Sequence, residues 1–374
     1  MVDAMRTVLI SGAGVAGPTL AYWLARNGFR PTVVERADGQ RSSGNPVDVR
    51  GPALPVAEQM GIVDRLREAA TQVTAMRFID ASGRSRTRVS MPASRSAAGT
   101  REIEVPRADL ASILYAAARD DAEFVFDDTI TTLAQDGGGV DVSFERGAPR
   151  RFDLVVGADG LHSTVRGLAF GPEAGFLRHL GVFVATAPLG VPAEDPRDVL
   201  LYNTPGRLVS VHPSRGRALV AFIFRGAAVP GLDHRDTARH RRILAEAYRD
   251  EAGWRVPELL DKALHADDLY FDGVGKVVLP SWSAGRVTLL GDAASSVSLF
   301  GDGSSMAIAG ARTLAAALAE TDLATALRRY EDEHRRRTNP VQRNAGAAVA
   351  MMVPKHRTGI AVRNAAARVL LSKG

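Results

Sequence analysis

The segment Thr7-Val-Leu-Ile-Ser-Gly-Ala-Gly-Val-Ala-Gly17 constrains the fold of this chain more than any other. An apolar strand runs directly into G-x-G-x-x-G. A helical pattern follows from Pro18 to Asn27, closed by Gly28, and a second strand, Pro31–Glu35, ends on an acid. Each part has a mechanical reason. Gly12 permits the tight strand-to-helix turn, Gly14 lets the backbone approach a pyrophosphate, and Gly17 lets helix and strand pack closely. Val15 and Ala16 lie between them, where the helix opens and its free N–H groups and positive dipole end favour phosphate. Glu35 stands 23 residues after Gly12, with Arg36 next to it. A carboxylate there accepts hydrogen bonds from an adenosine ribose. Strand, turn, helix, strand and acid in that order predict a dinucleotide site on a doubly wound sheet.

Composition narrows the rest. The 374 residues contain no Cys, which excludes disulfides, thiolate catalysis and Cys-ligated metal, and no His pattern has metal-ligand spacing. No metal is expected. The N-terminus leads straight into the first strand, so no signal peptide is expected and the cytoplasm is the expected compartment. No run of 18 apolar residues suggests a membrane span. The formal charge is +5, carried almost wholly by arginine. Basic residues do not alternate with aromatics as base-stacking surfaces need, so no nucleic acid is expected. Arg335–Arg337, in a stretch opening Tyr330-Glu-Asp-Glu, reads as a solvated charged face.

The patterns along the chain divide it. Residues 1–175 and 281–325 read as a discontinuous nucleotide domain, 176–280 as an inserted substrate domain, and 326–374 as C-terminal helices. Residues 71–100, short strands with Gly and Ser punctuation, are a candidate addition to the insert. Helical patterns cover Pro52–Ala69 and Ala108–Arg119, and Asp136–Gly139 signals a hairpin. In the insert, Gly181–Pro188, Leu200–Asn203, Leu208–Pro213 and Arg217–Phe224 alternate as antiparallel strands do. Helical patterns near Asp236–Glu251 and Pro257–His265 follow, then a long strand over Leu269–Leu279. Ile360–Ser372 is amphipathic, with packing on the body the default.

Two later blocks complete a set. Asp153–Arg166 reads Asp-Leu-Val-Val-Gly-Ala-Asp-Gly-Leu-His-Ser-Thr-Val-Arg, and Trp282–Ala293 reads Trp-Ser-Ala-Gly-Arg-Val-Thr-Leu-Leu-Gly-Asp-Ala. With the first fingerprint they resemble, in order and approximate spacing over residues 7–320, the G-x-G-x-x-G, D-G and G-D motifs of the FAD-dependent aromatic hydroxylases. These are the para-hydroxybenzoate-hydroxylase-like, single-component class A flavoprotein monooxygenases. The resemblance implies an α/β fold: a Rossmann-like FAD-binding domain, an inserted, largely antiparallel substrate sheet and a helical C-terminus. It implies non-covalent FAD, NAD(P)H as a transient co-substrate (no second fingerprint is present), O2, and hydroxylation of an aromatic or polyketide-like small molecule through a flavin C4a-hydroperoxide. A monomer or homodimer is expected.

The resemblance also assigns residues. Asp292 would hydrogen-bond the flavin ribityl chain; the alternative is an N-cap of a short helix. Gly301, Gly303, Ser304 and Ser305 open a helix over Met306–Ala319 whose N-terminus would face the isoalloxazine. Gly303 is read as allowing close backbone approach or positive φ. Asp159 of the D-G motif would serve FAD and nicotinamide; the alternative is a strand-end Asp turning into a helix. Arg107 resembles the Arg that reaches flavin or pyrophosphate from a helix start, and guanidinium suits phosphate. Arg50 is a similar candidate, with an ordinary surface residue as its alternative. Phe183, Tyr202, Phe222, Phe224 and Tyr270 are candidate pocket aromatics, with plain core as the alternative. His212 is a candidate base, and no catalytic side chain is assigned.

The chain departs from the family after Gly-Asp-Ala. The usual His, prolines and Gly-Gln-Gly are replaced by Ser295-Ser-Val-Ser-Leu-Phe-Gly-Asp-Gly-Ser-Ser305 without Pro. That departure keeps open a second reading, an FAD-containing non-redox enzyme of the same fold, cyclase-like in its chemistry.

Overall fold

The computed structural model describes residues 7–39, 45–90, 102–296 and 302–371. Gly301, with the rest of 297–301, and residues 91–101 lie outside them.

Thr7–Ser11 sits at the centre of a six-stranded sheet because it is apolar on both faces: Val8, Leu9 and Ile10 are all fully buried. It pairs in parallel with Arg30–Glu35 on one side and Leu154–Gly157 on the other. Glu123–Phe126 and Val287–Leu289 extend the two edges in parallel, and the short Ser283–Ala284 closes one edge antiparallel. Helix Ala16–Arg26 packs against both Arg107–Ala118 and Asp302–Glu320.

A second sheet has seven strands, in the order Tyr270–Val277, Leu177–Pro188, Leu219–Arg225, Arg207–His212, Asp198–Thr204, Ala75–Ile79 and Ser85–Ser90. All neighbours are antiparallel except Asp198–Thr204 with Ala75–Ile79. Strand alternation gives this sheet two different faces. Phe183, Val209, Val211, Phe222, Phe224 and Phe271 join one core with Leu244, Tyr248 and Leu259 of helices Thr237–Tyr248 and Val256–His265. The opposite face carries Val182, Val184, Leu208, Ile223 and Val274, packed with Val349 and Val353 from the chain's C-terminal part. Ser210, His212, Tyr270 and Asp272 alternate onto this second face.

Several local expectations shift. The helix expected over Pro52–Ala69 is two helices, Ala53–Gln59 and Val63–Ala69, separated at Gly61, whose φ of 68° no continuing helix could hold. The helix expected over Met306–Ala319 begins at Asp302 and runs to Glu320. The C-terminal helix Arg357–Leu371 packs on the edge of the seven-stranded sheet, with Arg363 lying 4.6 Å over the Phe78 ring. Arg335–Arg337 is not a wholly solvated face. Arg335 sits 4.7 Å over Trp282 and 2.7 Å from Glu331, and Arg337 is half-buried against Glu333 at 2.8 Å. Among the described residues no helix is long and apolar enough to cross a membrane.

Candidate active site

The turn after the first strand is built by exclusion. Gly12 has φ of 106°, and a Cβ there would lie 2.6 Å from the Ala158 carbonyl oxygen. A Cβ on Gly17 would run into the carbonyl oxygen of Gly12. Gly14 is exposed and faces open space. Val15 and Ala16 lead into helix Ala16–Arg26, whose N-terminus has no side-chain cap and no acidic residue in its first turn. An uncapped N-terminus beside an open glycine is a cradle that fits a pyrophosphate. Glu35 braces it: its carboxylate accepts from Ala13 N–H at 2.8 Å and Ala37 N–H at 2.9 Å. Each oxygen keeps a lone pair for a ribose hydroxyl. Arg36 donates to Thr164 Oγ1 at 2.8 Å, tying this edge to the D-G segment.

The D-G and G-D turns meet behind the cradle. Asp159 accepts from Ser163 Oγ at 2.5 Å and Val165 N–H at 3.1 Å, so its carboxylate closes the turn into helix Thr164–Phe170; burial holds its pKa up. Arg166, fully buried, donates to Leu161 O at 2.6 Å, Ala293 O at 3.2 Å and Glu173 at 2.8 Å. One guanidinium therefore locks the two motif turns together. Asp292 is the first residue of the short helix Asp292–Ser295; the N-cap is Gly291, with φ of 64°, so the capping alternative does not apply. Burial raises the Asp292 pKa, opposed by the charge of Arg107 and a hydrogen bond with Ser296.

The helix from Asp302 starts inside the site. Ser304 and Ser305 donate to the Asp48 carbonyl at 2.9 and 2.8 Å, and Ser305 Oγ accepts from Arg50 N–H at 3.0 Å. Of the two readings of Gly303, close backbone approach or positive φ, the structure rules out the second, and an added Cβ would meet Asp292 Oδ1 at an ordinary 3.5 Å. Arg50 is no free anion receptor. It lies 2.6 Å from Asp302, 3.1 Å from Glu102 and 3.7 Å from Asp48. Arg107 contrasts with it: exposed at the start of helix Arg107–Ala118, it has no hydrogen bond or ion pair among the described residues. A cation at the positive end of a helix is unfavourable alone.

The seven-stranded sheet roofs this floor. Of the candidate pocket aromatics, Phe183, Tyr202, Phe222 and Phe224 belong to the core beneath the two helices, as the plain alternative had it, and only Tyr270 lies on the other face. Tyr270 donates to Asp272 at 3.3 Å, and its ionisation is suppressed by burial and by the Asp272 charge. His212 accepts at Nδ1 from Ser214 N–H at 3.0 Å and lies 3.4 Å from Glu104. His162, in the D-G segment, finds its partners elsewhere in the chain. The structure gives it two, Glu173 at 3.0 Å and Asp272 at 3.1 Å, with His234 stacked at 4.3 Å. Burial works against its charge, but hydrogen bonds to Asp272 and Glu173 more than offset that and raise its pKa to about 9. Burial and the neighbouring His162 cation push His234 the other way.

The FAD binding domain family matches residues 5–345 of this chain. An uncharacterised protein of Mycobacterium tuberculosis is 41% identical over 84% of this chain and 85% of its own length. A flavin-dependent monooxygenase of Legionella longbeachae is 34% identical over 83% of this chain and 80% of the relative. Among solved structures, tetracycline destructase Tet(55) superposes with a TM-score of 0.85 at 30% identity, covering 100% of this chain and 97% of that one. HpxO of Klebsiella pneumoniae, solved with FAD and uric acid, shares the fold at a TM-score of 0.76 and 23% identity, covering 97% and 93%.

Proposed function

Because the chain belongs to the FAD binding domain family, among the FAD-dependent aromatic hydroxylases and related flavin-dependent monooxygenases, we propose that it oxygenates an aromatic or polyketide-like small molecule with NAD(P)H and O2. FAD, when bound, supplies hydride acceptance and oxygen activation. The observation that carries the reading is continuity. Helix Asp292–Ser295 of the floor packs against strand Tyr270–Val277 of the roof, and Val277 N–H donates to Ser296 O at 3.2 Å, which supports one space bounded by cradle and roof face.

This chain's residues then divide the work. The Gly12–Gly17 turn, with Val15 and Ala16, presents N–H groups and helix dipole to the pyrophosphate. Glu35 takes the ribose, and Arg107 adds the free cation. Asp292 would hold the ribityl chain, and the start of helix Asp302–Glu320, from Gly303 to Ser305, would border the ring. The roof excludes water, and His212 and Tyr270 present polar groups to a substrate. Similarity to a tetracycline destructase makes a fused-ring phenolic compound the first to try, tetracycline among them.

The test is turnover with NADPH and air, analysed by mass. A product one oxygen heavier, formed with one NADPH consumed, supports the reading. Product formed without NAD(P)H consumption replaces it with the non-redox reading.

A further inference from the structure

A groove of about 320 Å³ lies away from this site, between helices Ala53–Gln59, Asp302–Glu320 and Leu323–Met352. Its position follows from helix geometry. At 1.5 Å per residue, Ala309 and Ala316 lie about 10 and 21 Å along the helix from Asp302. Those alanines, about two turns apart, put no long side chain into the groove, and Pro52 and Val56 form its opposite apolar wall.

Its charge is unbalanced. Arg312, Arg329 and Arg337 line it against one carboxylate, Glu333. Arg337 is paired with Glu333 at 2.8 Å and donates to Thr313 Oγ1 at 3.1 Å. Arg329 is paired with Glu320 at 2.5 Å, with both side chains half exposed. Arg312 has no carboxylate partner among the described residues. Its guanidinium lies 4.5 Å over the Trp23 ring, and its Nε is 3.5 Å from Gln59 Oε1. Stacking fixes the plane of that guanidinium and leaves its terminal N–H groups for another acceptor.

We propose that this groove is a second binding site, for a ligand that carries a phosphate group. Three guanidiniums with one stacked and unpaired match a dianion that accepts several hydrogen bonds at once. Exposed ion pairs such as Arg329–Glu320 are worth little and re-partner readily. The volume is at the lower end of ligand pockets and exceeds what a bare phosphate fills. The apolar wall therefore gives the body of a small phosphate ester a place to lie. Inorganic phosphate and the phosphate of a nucleotide share this chemistry.

Calorimetric titration of the FAD-loaded protein at low salt, in phosphate-free buffer, tests it with three probes: inorganic phosphate, adenosine 2′-phosphate and adenosine. Both phosphate compounds bind, and adenosine alone does not. Tighter binding of adenosine 2′-phosphate assigns the apolar wall to a nucleotide; equal binding assigns the site to free phosphate. Arg312→Gln weakens either by about tenfold, the loss of one charge-assisted hydrogen bond. Glu333→Gln frees Arg337 and tightens binding several-fold, a gain that no folding defect produces. FAD content and Tm stay at the parent values in both. No binding of either phosphate compound, or binding that neither substitution moves, overturns the proposal. None of these readouts depends on oxygenation, so the proposed reaction can fail while the groove stands.

Discussion

On the six-stranded sheet the candidate cradle is built around main chain: N–H groups at a turn that Gly12 and Gly17 shape, braced by Glu35 on the N–H groups of Ala13 and Ala37, with few side chains added. On the seven-stranded sheet they are side chains, Ser210, His212, Tyr270 and Asp272, backed by a separate aromatic core. In the proposed division the first region recognises what every FAD has in common, so its geometry can be fixed by backbone. The second would meet a particular substrate, and side chains on a rigid sheet vary without disturbing the fold. His162 joins the two, one ring nitrogen on Asp272 of the roof and the other on Glu173, which also holds Arg166.

Four substitutions break or sharpen this division. Phe222→Ala opens a cavity in the roof core, where Phe222 is fully buried, and costs about 3–5 kcal/mol in global stability. Denaturant unfolding reads the loss; wherever the variant folds, its FAD content should equal the parent's, and a colourless folded variant would deny the roof its independence. Glu35→Ala acts in the opposite sense. It removes one brace and one ribose acceptor, and FAD should be held ten- to a hundredfold less tightly, about 1.5–3 kcal/mol, measured by fluorescence on dilution, with the roof core unaffected.

His162→Gln tests the link. The folded pKa of about 9 lies above the unfolded value of 6.5. The stabilisation is therefore fully present below about pH 6.5 and disappears as pH rises through 9. At pH 7 it amounts to about 2 kcal/mol. The groups facing this ring are Asp272, Glu173, His234 and, through Glu173, Arg166. Parent and variant should differ in unfolding free energy at pH 6–7 and converge above pH 9; a gap unchanged with pH would mean that the charge contributes nothing. The smallest effect is expected at His334, buried with no hydrogen bond to either ring nitrogen and with its pKa pushed down to about 4 by burial. Its depressed pKa costs stability as pH falls from 6.5 towards 4, so His334→Leu should be within about 1.5 kcal/mol of the parent at pH 7 and comparatively more stable at pH 5 by thermal melting.

The same division explains what the sequence made legible. Strand, glycine turn, helix and acid are contiguous, and their periods change from two to 3.6 within thirty residues, so the parallel sheet and its cradle could be read directly. The partners of His162 could not. Asp272 is 110 positions away, and nothing local to either residue anticipates the pair. The aromatics of the insert were visible as strand residues, but which face meets the helices depends on the location of helices Thr237–Tyr248 and Val256–His265. Arg50 looked like Arg107 because both are lone arginines beside a proline-bearing turn; Asp48 on its own strand and Glu102 and Asp302 from distant segments set Arg50 apart. Gly303 looked like loop glycine, and the helix had already begun at Asp302.

The proposed arrangement is a backbone-built FAD cradle under a roof that senses the substrate. It is tested by anaerobic stopped-flow reduction of the bound flavin by NADPH, with and without a fused-ring phenolic ligand. Slow reduction by NADPH alone and a several-fold faster rate once the ligand is bound are expected. A rate that is fast without ligand, or the same with and without any compound the protein demonstrably binds, would contradict that arrangement.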